Sequence, residues 1–151
     1  MNKLNELSKS IYDGNKSRGF WQDREAIPLT MKESGLFSEE QIKAVKDSFK
    51  GQLLMLIVSE AAEVLEANRG RTNMLNREEF EKSLMYSAPE NTEVFKARFE
   101  QYIKNSEEDE IADIIIRCLD YCGGFDIDID WHIEQKLAYN KLRAFKHNKN
   151  F

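Results

Sequence analysis

Proline and glycine are scarce, with two and seven in 151 residues, which argues against a fold of short strands and many tight turns. Cysteine is equally rare. Cys118 and Cys122 are the only two; four apart in an apolar stretch, they read as small buried hydrophobes and not as a disulfide framework. That usage points to a reducing cytoplasm. Only His132 and His147 could join them, which argues against a zinc site. The longest apolar run, Leu53 to Val58, has six residues and is too short to span a membrane. The opening MNKLNELSKS lacks the apolar segment of a secretory signal. Positive charge is not in excess either. Against 27 acidic residues stand 22 basic ones, a net charge of −5, and a general nucleic-acid binder would need a basic footprint. Neither a GxxxxGK[ST] loop nor a Gly-rich dinucleotide fingerprint occurs.

What the chain does contain is helical periodicity. Hydrophobic residues make up 41% and charged residues 32%, a globular composition. The expected architecture is one all-α domain over residues 1–151. Leu4, Leu7 and Ile11 predict a short first helix. Gly14 to Asp23 reads as irregular, and Pro28 as a loop. Ser38 followed by Gln41 has the spacing of a capping box. The helix it opens should run to about Arg69 and stop at Gly70, with Gly51 able to bend or break it. Asn76 to Tyr86 and Thr92 to Lys104 predict two further helices. Ser106 should cap another from Glu107 to about Cys122, stopped by Gly123-Gly124. Asp128 or Asp130 should cap a last one reaching about Lys146. The alternating segment Phe125 to Asp130 has a strand's period, but its shortness and lack of a partner favour an extended loop.

Two acid pairs stand out by context. In LLMLIVSEAAEVLEA, residues 53–67, only Ser59, Glu60, Glu63 and Glu66 are polar. A helix apolar nearly all round should be buried. Glu60 and Glu63 lie about 60° apart on it, on the face that also carries Leu53, Leu56, Val64 and Ala67, while Glu66 points elsewhere. Unpaired buried carboxylates cost several kcal/mol, so the pair must be protonated, matched with cations or bound to a metal. A surface pair or a salt bridge within the bundle is the plain alternative. The second pair, Glu110 and Asp113, shares a stripe with Arg117 and Asp120. Ordinary solvated-helix pairing of Asp113 with Arg117 explains that stripe equally well.

A third constellation is basic. Lys136, Asn140, Arg143 and His147 step by four, three and four along the last helix, within about 60° of one another. Cations near a helix C-terminus are favourable on their own account; the functional reading is a row of phosphate ligands. Two acid pairs converging across a bundle would form an all-oxygen site suited to Mg²⁺ or Mn²⁺. Such a metal beside cations suggests phosphoryl chemistry on an anionic substrate.

The order E-x-x-E, E-x-x-D and K-x-x-x-N-x-x-R resembles the all-α nucleoside triphosphate pyrophosphohydrolases. These are the MazG-like proteins, related to dimeric dUTPases and phosphoribosyl-ATP pyrophosphatase. The matching text is Ser59-Glu60-Ala61-Ala62-Glu63, Glu110-Ile111-Ala112-Asp113 and Lys136 through Arg143, with Gly19-Phe20-Trp21 similar to the N-terminal region of the smaller members. The resemblance covers roughly two thirds of the chain, about 15–70 and 105–149. It departs in the 46 residues, 64–109, between the acid pairs, where residues 76–104 would form an inserted helical hairpin. It departs again at Asn148, where relatives often carry glycine.

The resemblance implies a helical bundle of the all-α pyrophosphatase type. It implies Mg²⁺-dependent hydrolysis of a nucleoside triphosphate, a dNTP above all, to monophosphate and pyrophosphate. Glu60, Glu63, Glu110 and Asp113 would hold the metal, and Glu60 or Glu63 would orient or deprotonate the attacking water. Lys136, Asn140 and Arg143 would bind phosphates. Arg117 and Asp120 would stand behind the ligands, with Asp120 near Lys136. Trp21 would either stack on the base or fill a core or interface. The resemblance also implies a homodimer or homotetramer. Two alternatives stay open, a non-enzymatic helical interaction protein and a phosphoribosyl-ATP pyrophosphatase.

Overall fold

The computed structural model describes residues 3–70, 77–85 and 91–142. Seven α-helices and no strand occur among them: α1 Lys3–Ser17, α2 Gln22–Ser34, α3 Glu39–Gly70, α4 Arg77–Leu84, α5 Thr92–Tyr102, α6 Glu107–Gly124 and α7 Ile129–Lys141. No helix is long and apolar enough to cross a membrane.

Local capping chemistry sets most of the starts. The Ser38 N–H donates to Gln41 Oε1 at 2.8 Å while the Gln41 N–H donates to Ser38 Oγ at 3.3 Å, the reciprocal capping box expected from the spacing. Asn91 accepts from the Val94 N–H, Ser106 from the Asp109 N–H and Asp128 from the Trp131 N–H. The segment 125–128 is a turn and loop, as its shortness suggested.

Three expectations require correction, and one left open at Gly51 is resolved. α1 continues through Gly14, so only residues 18–21 form the turn, where Gly19 takes φ +88°. Pro28 lies inside α2 and not in a loop. A mid-helix proline costs about 3 kcal/mol or more, and here its ring is buried. α3 runs unbroken through Gly51 for 32 residues; one glycine costs a helix only about 1 kcal/mol. Finally, α6 includes Gly123 and Gly124 instead of stopping before them. Their role is close approach. A Cβ on Gly123 would stand 2.6 Å from the Ser8 carbonyl oxygen, and one on Gly124 would stand 2.0 Å from Trp21 Cη2.

The chain packs as two compact units, residues 1–46 with 118–151, and residues 47–117. In the first, α1 packs on α7 and on the C-terminal part of α6. Trp21, Ile42, Leu119 and Cys122 are buried there. Ser8 donates its hydroxyl to the Leu119 carbonyl at 2.7 Å. Tyr12 and Phe125 meet the Trp21 ring edge-on, with centroids 5.0 and 5.7 Å away. In the second unit, Leu53 of α3 is buried, and α4 and α5 form a pair joined by the Phe80–Phe95 edge contact.

Large apolar side chains stay exposed on several helices. On α3 they include Leu54, Val58 and Leu65; on α6, Ile111, Ile115 and Ile116; on α7, Trp131, Leu137 and Tyr139.

Candidate metal centre

The acidic site lies in the 47–117 unit. α3 presents Glu60 on the same side as buried Leu53, and α6 presents Glu110 and Asp113 one turn apart. One carboxylate oxygen from each of Glu60, Glu110 and Asp113 falls within 4.8 Å of the other two. Oxygens around a single Mg²⁺ stand at most about 4.2 Å apart, twice its ligand distance, so the trio would have to draw in by a few tenths of an ångström to share one Mg²⁺. Glu60 is 7% exposed and Glu110 6%, and Asp113 is the most open of the three.

Electrostatics mark the same place. Burial pushes the Glu110 carboxyl above its ordinary value of 4.5, and the charges of Glu63, Asp109, Asp113 and Glu60 push it further. Asp113 is raised above 3.8 by burial and then by Glu60 and Asp109, against the opposing pull of Arg117. Crowding of like charges at short range disfavours ionisation, and a bound cation would relieve it. Among the described residues no donor reaches the Glu110 side chain. Three carboxylates are a hard-oxygen donor set. The residues present therefore fit a divalent cation. Arg117 completes the cluster, its Nε donating to Glu60 Oε1 at 3.0 Å.

The other expected site residues have different surroundings. Glu63 is exposed and is not one of the three, yet its charge is the strongest like-charge influence on Glu110, so it borders the site. It sits about 60° around α3 from Glu60, enough to turn it off the buried face. Lys136 and Asn140 lie on the exposed surface of α7, in the other unit, with Lys136 Nζ 5.4 Å from the Tyr139 ring centre. Arg143 and His147 fall outside the described residues. Trp21 is 4% exposed. Its ring is enclosed by Tyr12, Phe125 and Gly124, which leaves no face open for a base. Asp120, also 4% exposed, receives the Trp21 indole N–H and not Lys136.

One structural residue escaped the sequence reading altogether. Asn5 of α1 caps α7 from a distance. Its Oδ1 accepts from the Ile129 N–H at 2.9 Å, and its Nδ2 donates to Asp128 Oδ1 at 2.7 Å. A polar residue in a solvated first helix carries no signal of a partner 124 residues away.

No protein-family model, curated protein or solved structure matches the chain.

Proposed function

We propose that this protein is a divalent-metal-dependent nucleoside triphosphate pyrophosphohydrolase of the MazG-like kind. The observation that carries the reading is the meeting of Glu60, Glu110 and Asp113 oxygens within 4.8 Å. The order of the three sequence motifs, which resembles that family, supports it.

Glu60, Glu110 and Asp113 hold Mg²⁺ or Mn²⁺, which when bound supplies charge stabilisation to phosphate oxygens. Glu63, exposed on the next turn of α3, orients the attacking water and accepts its proton. The resemblance, and not the structure, names Lys136, Asn140 and Arg143 as phosphate-binding residues and residues 76–104 as an insertion relative to compact relatives. The exposed apolar faces favour a homodimer or homotetramer. On α3, Leu54, Val58, Ala61 and Leu65 follow a four-three-four spacing and fall within about 60° around the axis, a seam suited to another helix. That seam is also what favours the rival reading, a helical interaction protein without catalysis.

The test is product analysis by chromatography. The protein is incubated with each common NTP and dNTP, with Mg²⁺ or with EDTA. Monophosphate and pyrophosphate formed only with Mg²⁺ are expected. Diphosphate and orthophosphate would reassign the bond cleaved. No turnover of any nucleotide would shift the assignment to phosphoribosyl-ATP or to the interaction protein. A thermal stabilisation by Mg²⁺ would then separate those two, because a cation that binds only the native state stabilises it.

A further inference from the structure

Arg117 approaches the acidic trio in an unusual way. It lies on α6, four residues after Asp113 and seven after Glu110, and so shares their face of the helix. It reaches across to α3 and touches Glu60 through a single contact, Nε to Oε1 at 3.0 Å. Its two terminal amino groups make no hydrogen bond among the described residues. The Glu60 side chain is 9% exposed and that of Arg117 is 38% exposed. The guanidinium thus rests on a buried carboxylate at one edge and opens to water at the other.

That geometry has a physical consequence. Without a cation, the trio concentrates negative charge in a poorly hydrated place, and the guanidinium offsets part of it. A divalent cation on Glu60 would bring a second, larger positive charge against the first. Both cannot hold the same carboxylate at full strength, because like charges at such range repel. Arg117 has an exit, since its long stem allows the head to swing into solvent without unpacking the helix. An arginine committed by a two-point fork would be harder to remove.

We infer that Arg117 is a displaceable counterion: it holds Glu60 in place while the site lacks metal, and a divalent cation must evict it to bind. Arg117 is then a positioning residue that weakens the metal affinity of the trio. This inference rests on the assignment of Glu60, Glu110 and Asp113 as metal ligands.

The experiment is calorimetric titration of the full chain with Mn²⁺ at low ionic strength, for wild type, Arg117→Gln, Arg117→Lys and Glu110→Gln. Arg117→Gln should bind Mn²⁺ about tenfold more tightly than wild type, and Arg117→Lys close to wild type. A merely structural loss would weaken binding instead. The metal-free Arg117→Gln protein should melt lower than wild type, with a larger rise on saturation with Mn²⁺. Unchanged or weaker binding by Arg117→Gln would overturn the inference. If Glu110→Gln abolished binding in the same series, the metal-centre assignment would survive that failure. Absence of Mn²⁺ binding by both wild type and Arg117→Gln would overturn both, whereas binding by Arg117→Gln alone would support the counterion. A readout on wild type guards against a misfolded variant. The Arg117 Nε–H resonance, assigned by its absence in Arg117→Lys, should shift and exchange faster with water as Mg²⁺ is added. A resonance indifferent to saturating Mg²⁺ would also overturn the inference.

Discussion

The indole N–H of Trp21 donates to both carboxylate oxygens of Asp120, 3.1 Å to Oδ1 and 3.3 Å to Oδ2. Both residues are 4% exposed, so this bond satisfies polar groups that water scarcely reaches. Trp21→Phe keeps most of the ring's packing and removes the donor. It should cost about 1–3 kcal/mol, the usual range for a buried polar group left unpaired. Urea unfolding of Trp21→Phe, Asp120→Asn and the double variant would measure the coupling directly. A double variant whose loss of stability equals the sum of the two single losses would show that the two side chains do not depend on each other.

Gly124→Ala should be more damaging than its small size suggests. The added Cβ would lie 2.0 Å from Trp21 Cη2 and 2.4 Å from Cζ2, and a rigid indole cannot swing aside as a flexible chain end would. Overpacking of this kind costs about 1–3 kcal/mol or more. A melting temperature lowered by several degrees is expected, with altered tryptophan fluorescence from the displaced ring. An unchanged melt would mean that α6 and Trp21 approach less closely than described.

Asn5→Ala removes a cap supplied from outside the helix it serves, and should cost about 0.5–2 kcal/mol. It should also change the response to acid. The Asn5 amide, and after it the Trp131 backbone N–H, hold the Asp128 carboxyl below its ordinary value of 3.8. A carboxyl depressed in the folded state contributes stability that is fully present above 3.8 and is lost as pH falls through the lower folded value. Thermal melts from neutral pH down to pH 3 should therefore show a shallower acid loss in Asn5→Ala than in wild type. Parallel curves would separate Asn5 from the titration of Asp128.

The exposed α3 seam bears on assembly. Leu54, Val58 and Leu65 are 47%, 56% and 59% exposed, and each would gain by burial against another copy. Light scattering coupled to size-exclusion chromatography should give wild type a mass of two or four times 17.7 kDa. Val58→Glu should shift that mass toward the single chain. A monomeric wild type would leave the seam without a second copy as its occupant.

The helices were legible in the sequence where their signals were local. Ser38 and Gln41, Ser106, and Asp128 each cap within three residues, and each appears at its expected place. Glycine misled for one reason. Gly123 and Gly124 have the look of punctuation, yet their positions follow from Ser8, Tyr12 and Trp21 packed against them, and a neighbour distant in the chain leaves no mark on local pattern. The acidic centre was partly legible. A carboxylate set among apolar residues at helical spacing singled out Glu60, and i,i+3 geometry linked Glu110 to Asp113. What spacing could not supply was the rotation of α3, which buries Glu60 and turns Glu63 outward. It also could not choose among cation partners: Arg117 pairs with Glu60 on α3, although Asp113 on its own helix was the partner expected by spacing.

The unit formed by residues 1–46 and 118–151 draws on both ends of the chain, whereas residues 47–117 form a continuous stretch. Its ties bridge long separations: Ser8 to Leu119 spans 111 residues, Trp21 to Asp120 spans 99, and Asn5 to Asp128 spans 123. Contacts so far apart in sequence close slowly. They also impose an order during synthesis, where the chain leaves the ribosome at about 5–20 residues per second. Residues 47–117 can pack as soon as they emerge. Trp21 must wait, uncovered, until Asp120 and Gly124 have been made, and that interval is when a nascent chain of this protein would most need a chaperone.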